Sequence, residues 1–261
     1  MTEELPERWS LRGQTALIAG ASRGIGLACA RELAALGADL LLVAREREPL
    51  EAAAEELAER FPARRVRLLA ADLADGEQRL ELFDWLTDLG AEFSLLVNNV
   101  GDNLTRPALA FAEAEWRRLF ELNVFASFEL SRLAHPWLAR HPASAVVNVG
   151  SVAGLVHVGT GAPYAMAKAA LHQMTRSLAC EWAADGIRVN AVAPWYVRTR
   201  RTAPALADPD YREAVLARTP LARIGEPEEV AAAVAFLCLP AARWITGQVL
   251  AVDGGFSAYG F

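Results

Sequence analysis

Short apolar runs alternate with longer stretches in which apolar residues recur at helical spacing. The runs are Thr15 to Ala19, Asp39 to Ala44, Arg65 to Ala71, Phe93 to Val97, Ala145 to Val149, Arg188 to Val192 and Gln248 to Val252. Each is too short for a buried helix and reads as a buried strand. Between them, helical patterns cover Leu27 to Leu36, about 47–60, about 76–89, about 113–139, about 163–184 and Glu228 to Leu239. Gly37 closes the first helix and Pro227 opens the last, where a missing N–H costs nothing. This alternation continues from end to end without linker or repeat. It predicts an α/β fold: one doubly wound Rossmann-type domain over 1–261, with a mainly parallel seven-stranded sheet flanked by helices on both faces. Ligands of such sheets bind beyond the carboxyl ends of the strands. Nearly every unusual residue in this chain follows a strand.

Composition narrows the function classes. At 53% hydrophobic residues the chain has ample material for a core, yet no apolar run reaches the ~18 residues of a membrane span. The opening Met1-Thr2-Glu3-Glu4-Leu5-Pro6 has neither the basic start nor the apolar stretch of a signal peptide. Cys29, Cys180 and Cys238 are scattered and read as reduced core thiols of a cytoplasmic protein. The histidines at 135, 141, 157 and 172 form no metal-ligand pair, so no metal is expected. A net charge of −6 offers no field for nucleic acid.

The first strand runs into Gly20-Ala21-Ser22-Arg23-Gly24-Ile25-Gly26 and then a helix. Glycines in that setting permit a tight turn and close approach of a pyrophosphate to the free N–H groups of the helix start. The second strand selects the cofactor. A site for NAD places a carboxylate there to bond the ribose 2′-hydroxyl. Here Ala44 and Arg45 end the strand, with Arg23 in the glycine loop and no carboxylate counted against a 2′-phosphate, so NADP(H) is expected. Asp72, with Leu73 after it, can accept from an adenine amino group or serve as a turn or cap aspartate. Asn98-Asn99-Val100-Gly101 lets backbone lie against adenosine or is an ordinary strand-to-loop turn.

Lys168 is the only lysine among 26 basic residues. Tyr164 stands four positions before it, one turn away on the same helix face, where an ammonium can lower the phenol pKa. Ser151 follows another strand and is placed to point a hydroxyl into the same crevice. Asn123 falls inside a predicted helix, where asparagine has poor propensity; by itself it reads as a kink or a buried capping amide.

Together the glycine loop, Asn98-Asn99-Val100-Gly101, Asn123, Ser151, Tyr164-x-x-x-Lys168 and Asp253-Gly254-Gly255 resemble the short-chain dehydrogenase/reductase family over essentially the whole chain. Arg8-Trp9-Ser10-Leu11-Arg12-Gly13, Leu133 to Leu138, Ala179 to Ala183 and the terminal Gly260-Phe261 are similar to its tropinone reductase-like branch. The resemblance implies that Tyr164 is the general acid toward a ketone and the base in reverse. It implies that Lys168 lowers the Tyr164 pKa and bonds the nicotinamide ribose, that Ser151 holds the substrate oxygen, and that Asn123 positions a water leading from Lys168 to solvent. It places Gly20, Ser22, Arg23, Gly24, Ile25, Gly26, Arg45, Asp72, Leu73, Asn99, Gly101, Pro194, Val197 and Thr199 on the cofactor.

Three departures stand out. Ala19 replaces a frequent threonine, Ser94 a frequent aspartate, and Trp195 the glycine of a usual Pro-Gly. The indole can narrow the substrate pocket, stack on a ring substrate or cover the cofactor. Residues of about 200–222, punctuated by proline, are expected to be a mobile substrate lid. The expected substrate is a cyclic or hydrophobic ketone, or the corresponding alcohol. Two alternatives remain: a 3-oxoacyl thioester reductase docking a carrier protein on Arg106, Arg117, Arg118 and the Arg198-Arg200-Arg201 cluster, or a catalytically silent NADPH-binding subunit. The resemblance also implies a homotetramer or homodimer, with Trp116, Phe120, Phe125, Phe128, Met174 and Trp182 at the interface or in the core.

Overall fold

The computed structural model describes residues 5–260, so the lead-in at 1–4 and the terminal Phe261 lie outside the described residues. Seven strands form one parallel sheet: β1 (Thr15–Ala19), β2 (Asp39–Ala44), β3 (Val66–Ala70), β4 (Leu95–Asn98), β5 (Ser144–Val149), β6 (Ile187–Pro194) and β7 (Val249–Val252). Their order is β3-β2-β1-β4-β5-β6-β7. The helices are α1 (Leu5–Arg8), α2 (Gly24–Ala35), α3 (Arg47–Arg60), α4 (Gly76–Asp88), α5 (Glu113–Phe120), α6 (Ala126–Leu138), α7 (Ala162–Glu181), α8 (Ala203–Leu206), α9 (Pro209–Ala217) and α10 (Pro227–Cys238). No helix of the described residues is long and apolar enough to cross a membrane.

Why both faces are covered is visible in the strands themselves. Alternate residues of a strand point to opposite sides. Ala16 and Ile18 of β1 pack with Leu40 and Leu42 of β2 against α2, α3 and α10. Leu17 and Ala19 pack with Leu41 and Val43 into a second cluster with Leu82 of α4, Leu130 of α6 and Leu178 of α7. Both sides of each central strand are dry, so these strands read as continuous apolar runs. Between β1 and β4 the connections leave the sheet in opposite directions. That divergence opens a crevice at the carboxyl ends.

Several expectations need adjusting. The single helix predicted over about 113–139 is two helices joined by a wider π-helical turn at Glu121–Phe125, and Asn123 sits in that turn. Its side-chain amide donates to the Leu119 carbonyl one turn back at 2.8 Å and to the Asp102 carbonyl at 2.8 Å. The widened turn and the capping amide therefore occur together. Insertion of a turn in this way is a common device at functional sites. The lid segment at about 200–222 is more regular than its prolines suggest, because Pro204 and Pro209 sit in the first turns of α8 and α9, where proline is tolerated. Cys29 and Cys238 are buried, but Cys180 is exposed on α7 and is not a core thiol. Ser94 loses no support: its hydroxyl donates to Gln14 Oε1 at 3.1 Å. Among the proposed interface aromatics, Phe125 and Phe128 are exposed, while Trp116, Phe120 and Trp182 are half-buried.

Candidate active site

The glycine loop forms the floor of the crevice. Gly20 and Gly24 have φ of +75° and +55°, which a side chain rarely adopts. Asn99 ties the loop down from the end of β4, its Nδ2 donating to the Gly20 carbonyl at 3.1 Å. Gly26 does a different job from the one its motif suggests. It does not line the crevice but packs helix against turn, and a Cβ there would fall 2.0 Å from the Gly20 oxygen. Gly26→Ala is expected to destabilise the fold by roughly 2–3 kcal/mol and to weaken dinucleotide binding more than tenfold. Thermal melting and a cofactor titration would read both, and an unchanged melt would contradict the packing role.

Helix α2 starts at Gly24 with no side-chain cap on Arg23, so its first N–H groups face a cavity of about 480 Å³. Gly20, Ser22, Arg23, Gly24, Ile25, Arg45, Asp72, Leu73, Asn99, Gly101 and Thr199 line this cavity. One correction concerns its charge: the crevice does hold a carboxylate at the second strand. Glu46, just past Arg45, accepts from Arg23 at 2.7 Å. Bonding from Arg23 and the nearby charges of Arg200 and Arg45 hold its carboxyl below the usual range. Three guanidiniums thus converge where a single exposed carboxylate now stands. Asp72 is engaged in its own turn, accepting from Ala74 N at 3.0 Å, while Asp75 caps α4.

A second cavity, of about 400 Å³, continues from the first past Ile25, Asn99, Gly101, Thr199 and Arg201. Ser151, Tyr164, Lys168, Pro194, Trp195 and Val197 all line it. The sequence-predicted group is therefore assembled in one place by three elements: the end of β5, helix α7 and the end of β6. Lys168 is buried, donates to the Val149 carbonyl at 3.0 Å, and lies 5.7 Å from the centre of the Tyr164 ring. Gly101 brings Asn123 into the group. A Cβ on Gly101 would fall 2.6 Å from Asn123 Oδ1 and 3.3 Å from Lys168 Nζ. That Asn123 oxygen is buried and takes no bond from the protein.

The electrostatics differ from the sequence expectation. Burial pushes the Tyr164 phenol up, opposed by the charge of Arg201 and by the Ser151 hydroxyl. Burial, together with Arg201, lowers Lys168 to about 7. A second cation besides Lys168 faces the phenol, Arg201. Its guanidinium stands 5.9 Å from the Tyr164 ring centre. Sequence reading placed Arg201 only in the lid and a carrier-docking cluster, because nothing local shows that residue 201 returns to residue 164.

His172 was also missed. It is buried one turn beyond Lys168, with its ring against the Gly154 backbone. Burial and the Lys168 charge lower it to about 4. Its ring fills the space beside Gly150, where a Cβ would fall 2.2 Å from Nε2. A neutral imidazole thus backs the Ser151 turn. Trp195 stacks face to face on Phe256, with ring centres 3.8 Å apart at 8°, and its Nε1 donates to Thr219 at 3.1 Å. One face of the indole is already used, and the indole lines the cavity that holds Ser151, Tyr164 and Lys168. Tyr196 packs edge-on against the same indole, ring centres 4.6 Å apart, and its hydroxyl is hydrogen-bonded to that of Tyr211 from α9. No cluster of metal-ligating side chains occurs among the described residues.

Known proteins are similar to this chain over nearly its whole length. A family model described as enoyl-(acyl carrier protein) reductase matches residues 20–257. A tropinone reductase homolog of Arabidopsis thaliana is 43% identical, covering 99% of this chain and 97% of that protein. A chloroplastic tropinone reductase homolog of the same plant is 44% identical over 98% of this chain and 79% of its own length. Among solved structures, a gluconate 5-dehydrogenase from Burkholderia cenocepacia in complex with NADP and tartrate superposes with a TM-score of 0.92 at 30% identity, covering 98% of this chain and 100% of that one. With the sheet order, the glycine loop and the Ser151, Tyr164 and Lys168 group already in place, these likenesses make the chain a member of the short-chain dehydrogenase/reductase family of oxidoreductases.

Proposed function

We propose that this protein is an NADPH-dependent carbonyl reductase that converts a ketone reversibly to a secondary alcohol. The observation that carries this reading is the continuity of two cavities. One is lined by an uncapped helix start and arginines, the other by Ser151, Tyr164 and Lys168. NADPH, when bound, supplies the hydride. The crevice fits it: α2 offers free N–H groups to a pyrophosphate, and Arg23, Arg45 and Arg200 surround the site at which Glu46 now reports a positive potential. Val197 and Thr199, at the end of β6, stand where the nicotinamide end is received.

Tyr164 gives its phenolic proton to the carbonyl oxygen during reduction and withdraws it in reverse. Ser151, beside Tyr164 in the same cavity, donates to that oxygen and fixes its position. Lys168 reprotonates the phenolate side of the site and holds ribose hydroxyls with donors not used on Val149. Asn123 Oδ1, unbonded by protein and close to Lys168, is placed to hold a water on the proton's way to solvent. Trp195, Val158 and Tyr211 give the pocket an apolar side suited to a cyclic or hydrophobic ketone.

The carrier-docking alternative is less supported. Arg106, Arg117 and Arg198 are each paired with Glu115, Glu113 and Glu226 on the protein's own surface. A silent binding subunit would not need the assembled Ser151, Tyr164 and Lys168. Exposed Phe125 and Phe128 suit a homotetramer or homodimer, and we read the protein as cytoplasmic.

Loss of reduced-nicotinamide absorbance, followed with NADPH and NADH against cyclic ketones, acyclic ketones and 3-oxoacyl thioesters, tests the reading. NADPH-preferring turnover of a ketone is expected; turnover of thioesters alone would replace it. The Arg23→Ala, Arg45→Ala double variant is expected to lose about 100-fold in NADPH-over-NADH preference, since each charge-assisted phosphate contact contributes roughly 1.5–3 kcal/mol. A preference unaltered by both changes would remove these residues from cofactor choice.

A further inference from the structure

The catalytic cavity has a strongly one-sided charge. Among the described residues, no aspartate or glutamate lines it, while two cationic side chains do: Lys168 and Arg201. Lys168 is committed to the reaction. Arg201 is not part of the Ser151, Tyr164 and Lys168 group, yet it stands over the Tyr164 ring from the lid side, where the substrate must pass.

Arg201 also keeps capacity in hand. Of its five N–H donors, one bonds the Gly101 carbonyl at 3.1 Å and another meets Asp102 Oδ1 at 3.2 Å. The Gly101 bond fixes the side chain across the mouth. The Asp102 pair is weak, because Asp102 is 68% exposed and water competes for it. A carboxylate entering the more sheltered cavity can share or take over that side of the guanidinium, in the planar two-bond geometry arginine favours.

We propose that the substrate is an anionic ketone, a keto acid whose carboxylate is held by Arg201 while its carbonyl meets Ser151 and Tyr164. This deepens the reductase reading and rests on it. It also separates this protein from enzymes acting on amine ketones. A substrate ammonium would meet Arg201 and Lys168 with only the exposed Asp102, already paired with Arg201, to offset them. Because Arg201 lies between β6 and α8, engaging the carboxylate also draws on the segment that carries Tyr211.

The test compares three cyclic ketones of one size: 4-oxocyclohexanecarboxylate, its primary amide, and N-methyl-4-piperidone, which is protonated near pH 7. Wild type is expected to favour the carboxylate over the amide by about 10- to 100-fold in kcat/KM and to use the ammonium ketone least. Arg201→Met is expected to bring the carboxylate-to-amide ratio near one, Arg201→Lys to keep part of it, and Arg201→Glu to invert the order toward the cation. A ratio corrects for any general loss of activity in a variant. Calorimetric binding of the same compounds to enzyme saturated with NADP+ reads the anion site without turnover. Equal use and equal binding of carboxylate and amide in wild type would overturn the proposal and leave the reductase reading standing. Arg201-dependent binding of the carboxylate with no ketone reduced would leave an anion site at Arg201 but overturn the reductase reading and, with it, the substrate assignment. A rise in the KM for NADPH in Arg201→Met, with the carboxylate ratio unchanged, would assign Arg201 to the cofactor and overturn the proposal.

Discussion

Tyr164→Phe is expected to lower kcat by about 10³-fold, the usual size of a lost general acid, while changing the dissociation constant for NADPH less than threefold. The variant removes only the phenolic hydroxyl. The ring keeps its packing against Val152, Ala153 and Phe256, and the cofactor crevice is left intact. Stopped-flow turnover with a ketone substrate, beside a fluorescence titration with NADPH, separates the two effects. Equal turnover in the variant would sink the proton-transfer role. A large loss of NADPH binding would instead mean that the hydroxyl holds the cofactor.

The second large effect runs against intuition: loss of Lys168 should stabilise the fold. Lys168 is held at about 7 by burial and by Arg201, against an ordinary 10.5. Below pH 7 the lysine is charged in both states, and the folded chain carries the full cost of a buried ammonium. Between pH 7 and 10.5 the unfolded chain binds a proton that the folded chain does not, so wild-type stability rises with pH. Lys168→Met removes that cost but also the bond to the Val149 carbonyl. The net expectation is a gain of about 2–4 kcal/mol at pH 6, shrinking as pH rises toward 10.5, with turnover reduced at least 100-fold. Melting curves at pH 6, 8 and 10 check the slope. A variant less stable than wild type at pH 6, or a gain that grows with pH, would contradict the buried-charge account.

A buried amine, an orphaned Asn123 oxygen and a buried, neutral His172 sit within one small region. Each carries a desolvation cost. A binding partner that satisfies them would recover part of that cost, which is why such groups gather at sites of chemistry.

Much of this was legible in the chain. The alternation of short apolar runs with helical patterns was enough for the sheet, because a strand dry on both faces must be apolar throughout. Element ends drifted by one to three residues, as at Val66, Leu95 and the start of α2 at Gly24, since fraying ends are set by neighbours rather than by local preference. The glycine loop, Ser151, Tyr164 and Lys168 could be picked out because each lies at a strand end or at a fixed helical spacing, both local properties. Even the poor helix former at Asn123 marked a real break in the helix.

What the tertiary structure alone decided are contacts between residues far apart in sequence. Glu46 reaching Arg23 changed the charge of the cofactor crevice, and Phe256 covers one face of the Trp195 indole. Arg201 reaching Gly101, a hundred residues back, placed a guanidinium beside Tyr164. No periodicity encodes such meetings. Burial and long-range charge, which set the Lys168 and Tyr164 pKa values, exist only once the chain has closed around them.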